Sequence, residues 1–443
     1  MNNSLSSAGQ MVSAENEALA KSQAEQNTFS LSYGQQALWF LYQSDRSSNA
    51  YNFSIPTRIK SSVDVACLKQ AFQGLLERHP SLRTTITTAA DGTTVQVVHP
   101  DMGVCFDHID AAGWSEEQLD QSVAETHDQP FDLEQGPIFR VTLYTCAQED
   151  HILLLTMHHI VYDAWSHEPF LSDTEQLYLA ATAGTQATLP PLEKQYSDYV
   201  AWQNQTLTGP EGEKLWSYWQ DQLSGNLPTL DLLTDRSRPV RRSHSGDAHS
   251  FALTAAQTTG IKKLAQAEGT TPNAVLMTVF QTLLHRYTGQ SDILVGSPMG
   301  GRSQAEFEHV VGYFINPVVI RGKLTDACSF KEFLSQISTT VLGATEHQDY
   351  PFPLLVERLQ PNRDPSRTPI FQVLFNYLEN GNTETAASLL ADGSPNQQVQ
   401  WANLALESVP LKQQLGQFDL ALEMTETQDN FTGSLKYSTD LFN

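Results

Sequence analysis

The chain is short of cysteine and of positive charge, and each shortage excludes a class of function. Its four cysteines, Cys67, Cys105, Cys146 and Cys328, lie far apart with no CxxC pair, which argues against a zinc ribbon and a dense disulfide framework. A reducing, cytoplasmic compartment is the expectation. Only 26 Lys and Arg stand against 50 Asp and Glu, for a formal net charge of -24. Such a surface repels phosphate backbones and anionic leaflets, so neither nucleic acid nor a membrane is an expected partner. No stretch reaches the roughly 18 apolar residues of a membrane span, and the N-terminus lacks the apolar segment of a signal peptide. Metal motifs are missing too: there is no HExxH, and "GSPMGGR" (Gly296 to Arg302) lacks the GK[ST] ending of a phosphate loop. It reads as a tight turn that glycine permits.

What is present is enough apolar material for more than one core. A chain of 443 residues with 40% hydrophobic residues exceeds the usual size of a single core, so two lobes are expected. Residues 1–28 are rich in Ser, Ala, Asn, Gln and Glu and read as a flexible linker or docking tail, with some helix around Ala14 to Gln26. From Phe29 onward strands and amphipathic helices alternate. Val65, Leu68, Ala71, Phe72, Leu75 and Leu76 follow a helical period that ends before Pro80. "TTVQVVHP", "FRVTLYTC" and "HILLLTMHH" read as strands, the last an unbroken apolar run suited to a central strand buried on both faces. A helix is expected from Glu168 to Ala183. The small, polar stretch closed by Pro190 and Pro191 marks a boundary, giving lobes over 29–190 and 191–443. Past it come a Trp-rich helix from Tyr196 to Leu223, a strand at "HSFALT", a helix pair from Ala255 to Tyr287, strands at "DILVGSP" and "NPVVIRG", a helix at "SFKEFLSQISTTVLGATEHQ" and a strand at "FQVLFNYLE". The fold class is therefore α/β with a site between lobes.

The chemistry concentrates in "TMHHIVYDAWSH", Thr156 to His167. Adjacent strand residues point to opposite faces, so one of His158 and His159 enters a cleft while the other packs behind it; the pattern alone leaves open which. A neutral imidazole there can take a proton from an attacking amine or hydroxyl, or hold that nucleophile in line. Asp163, past the strand end, is poorly placed as a second base and better suited to clamp an arginine. A histidine ending a buried strand is more often a satisfied core residue, and a zinc site is disfavoured because neighbouring strand residues diverge.

The motif's company decides between these. His158, His159 and Asp163 match the HHxxxD motif of non-ribosomal peptide synthetase condensation domains, which related acyltransferases share. Further family-like motifs follow in order: "SYGQQALWFL" with "AYNF", "RHPSLRTT", "YSDYVAW", "VGYFINPVVIR", "HQDYPF" and "RDPSRTPIF". The chain from about residue 29 to 443 resembles that family. Heterocyclisation domains would carry Asp in place of the first His, and epimerisation domains would have different late motifs.

The resemblance implies two chloramphenicol-acetyltransferase-like lobes forming a V-shaped pseudo-dimer with a tunnel between them. It implies amide formation between a donor acyl thioester and an acceptor aminoacyl thioester, both on phosphopantetheine arms of carrier proteins, with no cofactor bound by the domain itself. His159 is implied as the catalytic side chain. His158, Asp163 and Arg302 support it, with Arg302 paired to Asp163. Backbone N–H groups of Ala164 and Trp165 would face the oxyanion, and Tyr313 and Asn316 would line the tunnel. The partners implied are an upstream donor carrier, a downstream acceptor carrier and an adjacent adenylation domain, so the chain reads as one domain of a larger assembly line. "SYGQQALWFL" with "FINPVVIR" resembles members that receive a polyketide donor. Departures are Ala164 for the family's glycine, Gly34 for a frequent Ala and Ala37 for a frequent Arg. An ester-forming acyltransferase and an inactive carrier-docking scaffold are the alternatives.

Overall fold

The computed structural model describes residues 27–443 except 90, 326, 361–363, 379–397, 412, 414 and 427–429. The expected helix at Ala14 to Gln26, most of the 1–28 tail and Arg363 lie outside the described residues.

The first large sheet is built around the apolar run. Strand β7 (Asp150–His158) is buried from His151 onward and lies between β2 (Asn52–Ile59) and β6 (Phe139–Ala147), with β5 (Cys105–Asp110) at the edge beyond β6. Its side chains alternate between two cores, as a strand's period of two requires. Leu153, Leu155 and Met157 pack with Phe72 and Leu75 of helix α2 (Val65–Arg78) and with Phe170 and Tyr178 of helix α4 (His167–Thr182). Ile152 and Leu154 face Leu119 and Val123 of helix α3 (Glu116–Asp128). Burying each such side chain contributes about 1.5–3 kcal/mol, which fixes the strand's register and hence where His158 falls.

A smaller sheet joins β1 (Thr28–Ser30), β4 (Thr94–Val98) and β3 (Thr84–Thr88). Ser32 then caps helix α1 (Tyr33–Ser44), accepting from the Gln35 N–H, while the Gln35 side chain accepts from the Ser32 N–H. This reciprocal box is the S-x-x-Q pattern of "SYGQ".

The second large sheet runs β10 (Asn316–Lys323), β9 (Asp292–Met299), β11 (Val373–Leu378), β14 (Leu420–Glu426), β15 (Phe431–Ser438) and β8 (Gly246–Ala252). Val295, Ile320 and Phe375 pack against Phe280 and Leu284 of the helix at Pro272–Thr288 and Phe333 and Ile337 of the helix at Phe330–Glu346. Two observations depart from the sequence reading. The Trp-rich segment is two helices, Tyr196–Thr208 and Pro210–Gln222, divided at Gly209; Pro210 has no N–H to continue the first and suits the first turn of the second. The sheets also cross the boundary expected near 190. Strands β12 (Gln398–Trp401) and β13 (Leu404–Ser408) complete the first sheet, with Leu406 opposite Ile59 on β2. Trp401 there enters the first core and donates from Nε1 to the Leu171 carbonyl at 3.2 Å.

Candidate active site

β7 ends at His158, and the chain turns at once into a single 3-10 turn over His159–Val161. His158 thus ends the strand and His159 opens the turn. His158 is buried between the rings of Tyr51 and Phe131, with centroids 6.4 and 6.2 Å away. Its Nδ1 accepts from the Ile160 N–H at 3.1 Å, so the proton of the neutral ring sits on Nε2. Burial pushes this histidine down to about 3, helped by the neighbouring His159.

His159 has the opposite tautomer. Its Nδ1 lies 2.6 Å from the Tyr162 carbonyl oxygen, and a carbonyl only accepts, so Nδ1 carries the hydrogen and Nε2 the lone pair. Burial lowers its pKa, and the Tyr162 carbonyl and the Asp163 charge oppose that shift in part. The ring is only partly covered, flanked by Phe53 at 6.0 Å and edge-on to Tyr313 at 5.2 Å. A neutral imidazole whose Nε2 has no hydrogen-bond partner among the described residues, set between aromatic walls, can accept a hydrogen bond or a proton from a nucleophile.

Asp163 spends its oxygens on other partners. The side chain is fully enclosed, and the Arg302 guanidinium grips it with two bonds of 3.0 Å. Its oxygens also accept from the N–H groups of Ser166 and Phe314, both at 2.9 Å, and from the Ser166 hydroxyl at 2.9 Å. Arg302 donates onward to the Ser166 hydroxyl and the Val310 carbonyl and stacks over Phe314 at 4.1 Å. The Arg302 bonds to Asp163 and Ser166 and the Phe314 N–H bond to Asp163 join the histidine loop of the first half to the 300–314 segment of the second. Gly301 makes that segment's approach possible: its φ is +65°, and a Cβ there would lie 2.0 Å from the Phe314 oxygen. The glycine turn expected of "GSPMGGR" is this one.

Ala164 begins a 3-10 turn over Ala164–Ser166 and has no positive φ, so alanine in place of glycine is not strained. The first N–H groups of such a turn, on Ala164 and Trp165, have no acceptor within it. The indole of Trp165 is 37% exposed and passes close over Gly300. Asn316 spends its amide on the following loop. It donates to the carbonyls of Gln348 and Tyr350, both at 2.7 Å, and accepts from the Phe352 N–H, while also lining a cavity beside Tyr313. No group of His, Cys, Asp and Glu arranged to hold a metal occurs among the described residues, and no helix among them is long and apolar enough to cross a membrane.

Two participants escaped the sequence reading. Ser166 is the hub of the Asp163 network, and its one signal was its place three residues after Asp163, where a cap is satisfied. His167 is buried between Phe53 and Tyr162, with centroids 5.3 and 5.2 Å away, and neither ring nitrogen makes a well-aligned hydrogen bond among the described residues, although the Asp163 and Ala164 carbonyls lie near enough to favour its charged form in part. Burial pushes it down to about 4. His158 and His167 thus stay neutral in the fold at pH 5, where the unfolded chain protonates them. Their contribution is full above the unfolded value near 6.5 and is lost as pH falls toward about 4 and 3. Lowering pH from 7.5 to 5 should therefore cost about 2 kcal/mol for each of these two histidines. Urea unfolding across that range checks this. A folded His167→Phe variant should show a shallower slope, by about one proton near pH 5.

A family model described as "Condensation domain" matches residues 25–443. One of the linear gramicidin synthase subunits of Brevibacillus parabrevis is 37% identical over 416 residues, 93% of this chain and 5% of that protein. A four-domain nonribosomal peptide synthetase solved in its holo form with AMP and glycine superposes with a TM-score of 0.85 at 24% identity, over 94% of this chain and 31% of the other. The X-domain from teicoplanin biosynthesis, solved in complex with OxyB, gives a TM-score of 0.82 at 25% identity over 94% of this chain and 89% of the other. The chain thus spans only a small part of the gramicidin synthase polypeptide it matches. Because the family model extends over both sheets and the histidine loop between them, the chain belongs to the condensation-domain family, the amide-forming acyltransferase domains of non-ribosomal peptide synthetases.

Proposed function

We propose that this chain joins a donor acyl group to an acceptor amino acid, each held as a thioester on the phosphopantetheine arm of a carrier protein, in a tunnel between two lobes arranged as a V. The carriers and an adenylation domain would be neighbours in a larger synthetase. The observation that carries this reading is the tautomer of His159, held by the Tyr162 carbonyl so that Nε2 offers a lone pair.

The acceptor amine would hydrogen-bond to Nε2 and attack the thioester carbonyl carbon. As the C–N bond forms, the carbonyl oxygen gathers charge that the N–H groups of Ala164 and Trp165 would receive. The C–S bond then breaks, and the proton taken from nitrogen by His159 passes to the departing thiolate. Holding the reactants in line supplies much of the acceleration, up to about 7–11 kcal/mol in good cases. The domain itself needs no cofactor, since both arms are substrates. His158, Asp163 and Arg302 serve by fixing the loop.

The donor is proposed to be polyketide-derived, from the resemblance of "SYGQQALWFL" and "FINPVVIR". A second reading, a docking scaffold without catalysis, is favoured by one observation: an X-domain of this fold is found in complex with OxyB. Mass spectrometry of an amino-acid-loaded acceptor carrier, mixed with acyl-loaded donor carrier and the chain, separates the two. Acyl mass on the acceptor supports catalysis; carriers that bind without transfer, across several matched pairs, support docking. Faster turnover of β-ketoacyl or β-hydroxyacyl donors than of aminoacyl donors supports the polyketide donor, and the reverse order sinks it. A free alcohol that outcompetes the amine would favour an ester-forming enzyme.

A further inference from the structure

Tyr313 stands between His159 and a space that the proposed reaction does not use. Its ring meets the His159 ring edge-on at 5.2 Å. The same residue lines a small recess, partly open to solvent and with room for about one water molecule, whose other walls include Ser32, Gly34, Gln203, Asn316 and Asp349. His159 is not among those walls, so the tyrosine is the partition.

Gly34 gives that ring its room. A Cβ built on Gly34 would lie 2.8 Å from Cε1 of Tyr313 and 3.2 Å from Cδ1, inside the roughly 3.5–4.0 Å at which carbon atoms rest. Gly34 has no positive φ, so glycine is required for space and not for conformation. It lies in the first turn of helix α1, where glycine is less favourable than alanine, and its absent side chain is filled by the tyrosine. A chain of hydrogen bonds holds the pair in register. The Tyr196 hydroxyl donates to the Tyr313 carbonyl at 2.6 Å and therefore accepts from the Ser32 hydroxyl at 2.8 Å. Ser32 is the cap of helix α1, two residues before Gly34.

We propose that Tyr313, seated over Gly34, is a specificity-determining wall that limits the size of the substituent on the α-carbon of the attacking amine. This rests on the amide-forming reading above. An amine hydrogen-bonded to Nε2 has its α-carbon one covalent bond away, so the substituent falls beside the ring that flanks the imidazole. The donor carbon is further off, across a near-attack gap of about 3 Å. Removing the ring frees its own volume beside the imidazole and opens the site toward the recess, which makes room for a larger substituent.

The test measures transfer from one fixed donor to acceptor carriers loaded with glycine, alanine, leucine, glutamine or phenylalanine, and then from varied donors to one fixed acceptor. Wild type should favour the small acceptors. Tyr313→Ala should raise the large-to-small ratio of kcat/KM by about tenfold or more, the scale of one or two methylenes in a pocket, with the donor spectrum unchanged. Gly34→Ala, which drives the ring toward His159, should shift the ratio the other way. The double variant should return to the ratio of Tyr313→Ala, because the added methyl then meets no ring. If Tyr313→Ala does not fold, Tyr313→Leu and Gly34→Ala read the same wall. An active wild type indifferent to acceptor size, an unchanged ratio in folded variants, or a change seen only among donors overturns the proposal. A wild type that transfers to no acceptor overturns the amide-forming reading itself.

Discussion

Replacing His159 by alanine is expected to slow acyl transfer by about 10²–10⁴-fold, the range for a positioned proton acceptor, while the chain stays folded. The expectation follows from the two tautomers. His158 gives its Nδ1 lone pair to the Ile160 N–H, buried between the rings of Tyr51 and Phe131, so it has no free lone pair for substrate. His159 binds the Tyr162 carbonyl through Nδ1–H and leaves Nε2 open. Deleting the ring strands one carbonyl beside a partly open site, a cost of about 1–3 kcal/mol at most. Carrier-to-carrier transfer followed by mass spectrometry gives the rate, and a urea transition on the same preparation gives the stability. His159→Gln sorts the role further, because an amide oxygen can accept a hydrogen bond but takes no proton at neutral pH. A glutamine variant within tenfold of wild type means that Nε2 positions the amine; one as slow as alanine means that it removes the proton. In wild type the rate should fall on the acid side through a midpoint below the ordinary imidazole value, because burial favours the neutral ring. A folded alanine variant with undiminished transfer would falsify the role of His159.

Much of this was legible because local patterns and packing agree. The unbroken run Ile152 to Met157 demanded a strand buried on both faces, and β7 divides its side chains between two cores. The pairing of Arg302 with Asp163 came from family likeness alone, since 139 residues separate them and no periodicity links such distant positions. What was not legible falls into two kinds. The break at Gly209 was written in a Gly-Pro pair and passed over because the aromatic period continues on both sides. The return of β12 and β13 to the first sheet was not readable at all: strands of four and five residues carry too little alternation to name a partner, and their pairing with β2 is a tertiary choice. His167 belongs to the second kind, a buried ring whose role depends on Phe53, while Ser166 offered only its capping position after Asp163 and its part as a hub depends on the opposing 300–314 segment.

Breaking the Asp163–Arg302 pair is expected to cost about 3–5 kcal/mol of stability from either side, the usual penalty for stranding a buried charge. The pair is enclosed, with 8% of the arginine side chain and none of the aspartate side chain exposed, so water cannot replace the missing partner. Asp163→Ala leaves a guanidinium facing the Ser166 hydroxyl and the Phe314 ring with no countercharge. Arg302→Ala leaves a carboxylate with its N–H donors but no cation. Removing both takes away both charges, so the double variant should lose clearly less than the sum of the two single losses. Arg302→Lys should recover little, because one ammonium cannot reproduce a two-pronged grip that also reaches the Val310 carbonyl. Urea unfolding of the four proteins closes the cycle, and additive losses, or single losses below about 1 kcal/mol, would show the pair to be dispensable. Because the bond joins the histidine loop to the 300–314 segment, transfer activity should fall along the same denaturant curve as folding. Activity that vanished while the chain stayed as stable as wild type would instead assign Asp163 a direct part in the chemistry, against the hydrogen bonds that occupy both its oxygens with Arg302, Ser166 and Phe314.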